Sequence, residues 1–141
     1  MGLLSWFLSR TTTPEIEPIM LARGRGFTLD VVGESNYQPA LDRICGGKCE
    51  DGHRREVTAQ LCFVEDNEWD ENAVGVFINK QLVGFVPRDQ AAKVREGILA
   101  INQDDRPVLC RGKIVGGWNR GHGDEGSYGV KLSIGTPIRP A

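Results

Sequence analysis

Four cysteines and two histidines are the residues of this 141-residue chain best suited to bind a transition metal. Cys45, Cys49 and His53 are each separated by three residues, and Cys62 lies further along the chain. Zinc takes four such ligands in a tetrahedron, and spacings of about two to four residues can supply pairs of them. However, Cys45 falls on the apolar face of a predicted helix and Cys62 in a predicted strand, where cysteine acts as a small buried hydrophobic residue. We therefore predict no cofactor and keep a zinc site only as a minor alternative.

Nucleophilic catalysis would need a base held beside a serine or cysteine. The histidines available for this role are His53 and His122, and both lie in polar stretches next to glycine. His122 and Asp124 could belong to a metal-dependent nuclease, but a charged, glycine-rich connection between two strands explains them better. The chain has neither a GxxxxGK[ST] phosphate loop nor paired CxxC motifs. We predict that the protein is not an enzyme.

Basic residues recur at alternating positions in the second half of the chain. Arg111 and Lys113 fall on one face of a predicted strand, and Lys131 falls on the same face of the next strand. Such a stripe is suited to contacting the phosphates of a nucleic acid backbone. The solvated outer face of a sheet explains the same residues equally well. The pattern leaves both interpretations open.

The bulk composition bounds these possibilities. Hydrophobic residues make up 40% of the chain, charged residues make up 26%, and the net charge is −2, as is typical of a globular domain. This slightly acidic balance argues against a protein that coats nucleic acid by overall charge. Four cysteines are too few and too unevenly spaced for a disulfide scaffold, and no stretch approaches the ~20 apolar residues of a membrane span. We expect a cytoplasmic protein with free thiols and no membrane partner.

The organisation along the chain predicts one domain between two short appendages. Residues 1–24 combine an apolar tip with two prolines, which is typical of an extension or linker. Residues 25–136 are predicted to form the domain, and residues 137–141 a C-terminal tail. About five or six short strands with two interposed helices, lacking regular βαβ alternation, predict a mainly β, α+β fold built as a small OB-like β-barrel.

The individual elements follow from the spacing of apolar residues. Alternating apolar and β-branched residues predict strands. These strands span residues 27–33, 55–64, 72–79, 82–87, 107–117 and 127–134. Pro39 opens a short helix, and Pro87 opens a longer one that reaches about Ile101. Lys80-Gln81 is predicted to be the turn of a hairpin.

Two stretches of the chain carry motifs that are more specific than its composition. In VVGESNYQPALDRI (31–44), a strand that ends in Val-Val-Gly leads into a polar-aromatic turn and a helix. In the stretch 65–91, a segment of the form D-N-x-aromatic-D-x-N-A-V precedes a hairpin of the form VG-aromatic-x-P-R, which feeds a second helix. In this order the two stretches resemble the HIRAN domain family, and the resemblance covers roughly residues 27–134.

The resemblance implies both a fold and a function. HIRAN domains are OB-like barrels that occur alone in bacterial and phage proteins, or fused to helicase and ubiquitin-ligase modules in DNA-repair proteins. The best understood member grips the 3′ end of single-stranded DNA. The resemblance therefore implies a DNA-binding module that recognises single-stranded DNA at a free 3′ end, in DNA repair or processing. A helicase or a nuclease is the protein partner that it implies.

Capturing a strand end requires an aromatic ring that stacks on the last base, a group that contacts the 3′ hydroxyl, and donors for the last phosphates. By the resemblance, Trp69 takes the place of a stacking aromatic residue, and Asp70 that of the carboxylate that holds the hydroxyl. Arg88 takes the place of a phosphate contact. The second stacking position falls on either Asn36 or Tyr37.

Two further residues, Asn67 and Phe85, complete this candidate site. Asn67 lies in the same loop as Trp69, and Phe85 stands where the best-studied member has a histidine. Ser35 replaces a basic residue beside the second aromatic position, so both replacements remove positive or hydrogen-bonding character.

A different class of function is a protein-interaction module, in which an exposed edge strand adds a strand from a partner. A zinc-dependent, hydrolase-associated domain is the least favoured alternative.

Overall fold

The computed structural model describes residues 16–65 and 70–141. The described part contains a seven-stranded sheet, two α-helices and one turn of 3-10 helix. The strands are β1 (Ile19–Met20), β2 (Leu29–Asp30), β3 (His53–Phe63), β4 (Val74–Ile78), β5 (Gln81–Phe85), β6 (Val108–Gly116) and β7 (Tyr128–Ser133), and the helices are α1 (Gln38–Cys45) and α2 (Arg88–Ile101). The 3-10 turn (Glu34–Asn36) lies between β2 and α1. The predicted mainly β, α+β class is confirmed.

The sheet is a curled antiparallel ribbon that closes on itself at one residue pair. Its strands follow the order β2-β7-β6-β3-β4-β5, and β1 runs parallel to the start of β6. Just after β2, the Val31 N–H donates to the carbonyl of Val130 in β7 at 2.9 Å. The next residue, Val32, exchanges two backbone hydrogen bonds of 2.8 Å with Phe85 of β5. The segment predicted as strand 27–33 thus passes from β7 to β5 and joins the two edges of the small OB-like barrel.

Alternation along the strands fills the barrel, as the sequence predicts. In β4, Val74, Val76 and Ile78 are each at most 1% exposed. The inward residues of β3, β6 and β7 join them in one apolar cluster, and both helices pack their apolar stripes against it. The inward residues of these other elements include Ala59, Leu61, Cys110, Ile114, Val130, Leu132, Leu41, Ala91, Val94 and Ile98.

Both helices begin and end near the predicted positions. α1 has its proline in the first turn, and Gly46 follows it in a left-handed conformation with φ of 75°. Glycine reaches this conformation without steric cost, which is why it ends the helix here. Pro87 lies immediately before α2, which runs to Ile101. No helix in the two described ranges has the length and apolar character needed to cross a membrane.

The turn between β4 and β5 lies one residue earlier than predicted. Asn79 and Lys80 have φ of 50° and 65°, the left-handed pair of a type I′ turn, while Gln81 already belongs to β5. The prediction of Lys80-Gln81 was therefore wrong. Asparagine tolerates a positive φ better than glutamine does, so the turn forms where asparagine takes its first central position.

The sheet also extends into both predicted appendages. Ile19 and Leu21 are 5% and 0% exposed, within the segment predicted as an extension. The backbone of Ile19–Met20 pairs with β6, and Leu21 forms an isolated bridge with Pro140 of the predicted tail. β1 therefore pairs with Val108 and Leu109 at the start of β6, while β7 pairs with the rest of that edge from Arg111 onward. The physical reason is that these apolar side chains cover the end of the core.

Candidate nucleic-acid interface

The point where the barrel closes is built by a glycine. A Cβ atom on Gly84 would lie 2.6 Å from the carbonyl oxygen of Val32 and 2.5 Å from the Val31 side chain. Because only a residue without a side chain allows this approach, Gly84 lets β5 meet the chain that follows β2. The closure holds the backbone of Phe85 in place and presents its ring beside the turn that leads into α1.

Two aromatic side chains meet at this closure. The ring centroids of Tyr37 and Phe85 lie 6.4 Å apart, with 59° between the ring planes, within the range of favourable aromatic pairs. Both side chains are half-buried, and Val32 beside them is 44% exposed. Asn36 is exposed on the same turn. Of the two residues that the sequence left open, Tyr37 is therefore the one that contacts Phe85.

Asp70 lies four residues before Val74, the first residue of β4, and is half-buried. Its Oδ1 accepts a hydrogen bond of 2.9 Å from the Asn72 N–H, and its carbonyl accepts one of 3.1 Å from the Ala73 N–H. These contacts form an Asx turn, which fixes the position of the carboxylate. A carboxylate has about four acceptor positions, so the turn is compatible with contact to a ligand. Trp69 and Asn67 lie outside the described residues.

Arg88 is the first residue of α2 and is exposed. The helix start is fixed because Pro87 accepts hydrogen bonds of 2.9 Å from the Gln90 and Ala91 N–H groups, and because the Val86 N–H donates to Val74. Within the described ranges, no carboxylate forms an ion pair with Arg88. Its guanidinium is thus presented to solvent three residues after Phe85.

Glu34 is a residue of this region that sequence reasoning missed. It opens the 3-10 turn, and its Oε2 atom is buried with no hydrogen-bond partner among the described residues. Burial chiefly raises the pKa of Glu34; the nearby Asp30 raises it further, and Lys131 opposes the change. Nothing in its sequence spacing marks this residue, because its burial depends on the strands that converge at the closure.

The cysteines and His53 do not assemble into a metal centre. Cys49 Sγ lies 3.7 Å from His53 Nε2, and the same nitrogen lies 3.0 Å from the Gly47 carbonyl oxygen. Burial raises the pKa of the Cys45 and Cys62 thiols, which disfavours the thiolate that zinc binds. In the described part of the chain, no three His, Cys, Asp or Glu side chains are arranged to hold a metal ion.

Comparison with known proteins gives no relative to reason from. No protein-family model, curated protein or solved structure matches this chain. The HIRAN assignment therefore stays a prediction that depends on the two motif stretches, and the roles of individual residues must be argued from the geometry described above.

Proposed function

We propose that this protein is a HIRAN-like module that binds single-stranded DNA at a free 3′ end and catalyses no reaction. The observation that carries the proposal is the pair of half-buried rings, Tyr37 and Phe85, 6.4 Å apart where the barrel closes. Asp70 precedes β4, the strand that pairs with β5, and Arg88 begins the helix that follows β5. The three chemical groups that a strand end requires thus belong to consecutive elements of the chain, namely the approach to β4, the end of β5 and the start of α2.

The aromatic pair would receive the terminal base. Stacking of a base on an aromatic ring contributes about 1–3 kcal/mol and needs no hydrogen bond from the ring. Phe85 therefore remains suitable although it stands in the place of a histidine. Because the two backbone hydrogen bonds to Val32 hold Phe85 in place, little conformational entropy is lost when a base stacks on it.

Asp70 would discriminate between strand ends. A carboxylate accepts a hydrogen bond from a 3′ hydroxyl, which an internal nucleotide does not present. A 3′ phosphate in the same position would bring two negative groups together and would be repelled. Arg88 would contact the phosphate that precedes the terminal nucleotide, since a guanidinium donates several hydrogen bonds in a fixed planar arrangement.

The biological setting follows from the resemblance alone. We propose a role in DNA repair or processing in the cytoplasm, with a helicase or a nuclease as the protein partner. A binding module of this kind would direct such a partner to a strand end.

The deciding experiment compares two oligonucleotides that differ only at the 3′ end. Fluorescence anisotropy with a 5′-labelled strand should give at least tenfold weaker binding when the 3′ hydroxyl is replaced by a phosphate. Asp70→Asn should reduce this discrimination, and Asp104→Asn, which changes an exposed carboxylate beyond the end of α2, should leave it intact. Equal affinity for both oligonucleotides would refute end recognition. Absence of binding even at low salt would favour the protein-interaction alternative.

A further inference from the structure

The outer face of the sheet places two lysines side by side between two carboxylates. Along one cross-strand row, Glu56 of β3 is opposite Lys113 of β6, Lys113 is opposite Lys131 of β7, and Lys131 is opposite Asp30 of β2. Like charges directly opposite each other destabilise an antiparallel pair. Lys113 and Lys131 are thus the unfavourable pair in a row whose two outer pairs, Glu56–Lys113 and Lys131–Asp30, bring opposite charges together.

The chain before β2 adds an aromatic ring to this face. The Gly24 N–H donates to Ser133 Oγ at 3.1 Å, and a Cβ on Gly24 would lie 2.8 Å from a backbone oxygen just beyond β7. Glycine therefore allows the segment to cross the outer face closely. As a result, Arg23 Cζ lies 5.5 Å and Lys113 Nζ 4.7 Å from the ring centroid of Phe27, which is half-buried.

The cations exceed the carboxylates on this surface. We define the outer cationic face by five residues: Arg23, Arg54, Arg111, Lys113 and Lys131. Glu56 lies 3.6 Å from Arg23 and 3.9 Å from Arg111, and Asp30 lies 2.8 Å from Lys131.

Two of these cations lack a neutralising partner. Within the described ranges, no carboxylate forms an ion pair with Lys113 or Arg54. The face thus has an excess of positive charge in a chain whose net charge is −2. Cations therefore outnumber carboxylates on this face although the chain as a whole carries a small negative charge.

We propose that the outer cationic face binds the phosphates of single-stranded DNA on the 5′ side of the captured end, with Phe27 as a second surface for base stacking. This inference rests on the proposed function for the identity of its ligand. Cations in line with a flat aromatic ring are the combination that binds single strands without regard to sequence. A protein surface would supply acidic groups for the cations but would make no use of the half-buried Phe27 ring beside Arg23 and Lys113.

The chain from Asp30 to Tyr37 connects the outer cationic face with the Tyr37–Phe85 pair. Asp30 of β2 pairs with Lys131 of β7, and two residues later Val32 exchanges backbone hydrogen bonds with Phe85 at the closure. The backbone carbonyl of Glu34 then accepts a hydrogen bond of 2.9 Å from the Tyr37 N–H. A strand whose last base stacks at the closure would therefore leave it across β2 and β7 and reach Lys113 on β6.

The experiment measures how affinity depends on length and salt. For the wild-type protein, lengthening a 5′-labelled oligonucleotide from about 4 to 12 nucleotides should raise affinity, because a single OB fold covers about 4–16 nucleotides. In the double variant Lys113→Gln/Lys131→Gln this gain should be lost. The slope of log K against log salt should become less negative by about 1.4, since each phosphate contact on a single strand contributes about 0.7. The double variant should fold, because it removes the opposed lysine pair and, with it, one exposed Lys131–Asp30 ion pair that contributes at most about 1 kcal/mol.

A matched control removes the same charge elsewhere. Lys93→Gln/Arg139→Gln changes two exposed cations that form no ion pair with other described residues, and it should keep the wild-type slope. Phe27→Ala should weaken binding of the 12-nucleotide strand on the order of tenfold and should spare the shortest strand.

The outcomes separate this inference from the proposed function. A wild-type slope in the Lys113/Lys131 variant would overturn the inference, even if discrimination against a 3′ phosphate persists. Loss of slope without any 3′ discrimination in the wild type would support this face and refute end recognition. If the wild type binds no single strand at low salt, both are overturned.

Discussion

Two pairs of rings on this barrel differ in how far they are buried and in how many hydrogen bonds hold them. His53 and Tyr128 lie with ring centroids 5.7 Å apart, and Tyr128 is 3% exposed. The Tyr128 hydroxyl donates a hydrogen bond of 2.7 Å to Asp42. The Gln38 side-chain amide accepts a hydrogen bond from the backbone N–H of Tyr128 and donates one to the backbone carbonyl of Tyr128.

The second pair, Tyr37 and Phe85, stays half-buried at the closure of the barrel. The difference separates a structural pair from the pair that we propose binds a base. Where every polar group of an aromatic residue is paired and its ring is covered, the residue contributes to folding. Where rings meet but remain accessible, their faces are available to a ligand.

The largest expected effect is on the structural pair. Tyr128→Ala should lower the free energy of unfolding by about 3–5 kcal/mol, as other fully buried aromatic residues do when truncated. Urea denaturation followed by circular dichroism measures this. Tyr37→Ala is the matched control and should cost clearly less. Equal destabilisation by the two variants would remove the distinction between the pairs.

The next effect concerns binding by the half-buried Tyr37–Phe85 pair. Phe85→Ala should weaken binding of a short single strand by about 1–3 kcal/mol, because a base loses its stacking partner. Its stability should fall less than that of Tyr128→Ala. Phe77→Ala, which truncates a half-buried ring on β4, should leave DNA affinity near the wild-type value. Unchanged affinity in Phe85→Ala, measured by anisotropy, would contradict a ligand-binding role for the pair.

The smallest expected effect comes from Glu34, in the turn that precedes Tyr37. Its pKa is raised above the ordinary value of 4.5 by burial first and by Asp30 second. The folded state therefore binds this proton more tightly than the unfolded state does. Its contribution to stability is fully present below the ordinary value and is lost as pH rises through the raised pKa.

Glu34→Gln should remove this pH dependence and raise the unfolding midpoint at neutral pH, which thermal denaturation across the acidic range would measure. It should also strengthen DNA binding slightly, since it removes a negative charge beside the interface. Asp89→Asn, an exposed carboxylate in the first turn of α2, provides the comparison. A midpoint that is lower than the wild type at pH 7 would show that the Glu34 carboxylate is stabilising.

Local patterns were sufficient for most of the elements. Val74, Val76 and Ile78 alternate with smaller or more exposed residues and face the core as predicted. Pro39 and Pro87 mark the starts of both helices correctly. The same reasoning misplaced the hairpin turn, because it overlooked the preference of Asn79 for a positive φ.

The candidate site was less accessible to such reasoning. The family resemblance pointed to Tyr37, Phe85, Asp70 and Arg88 separately, but their spatial relations depend on contacts between distant parts of the chain. The burial of Ile19 was also missed, since two apolar residues beside prolines have the same local pattern in a linker and in an edge strand. Glu34 had no distinguishing pattern at all.

The amino-acid sequence alone determined where both α-helices and most of the strands form, because apolar period, proline and glycine act within a few neighbouring residues. Tertiary structure alone decided that Val32 bonds Phe85, that Tyr37 contacts the same ring, and that Lys113 lies opposite Lys131. The physical reason is that these pairs depend on how strands register and how the sheet closes. That outcome is set by the whole core and has no signature in any short stretch of sequence.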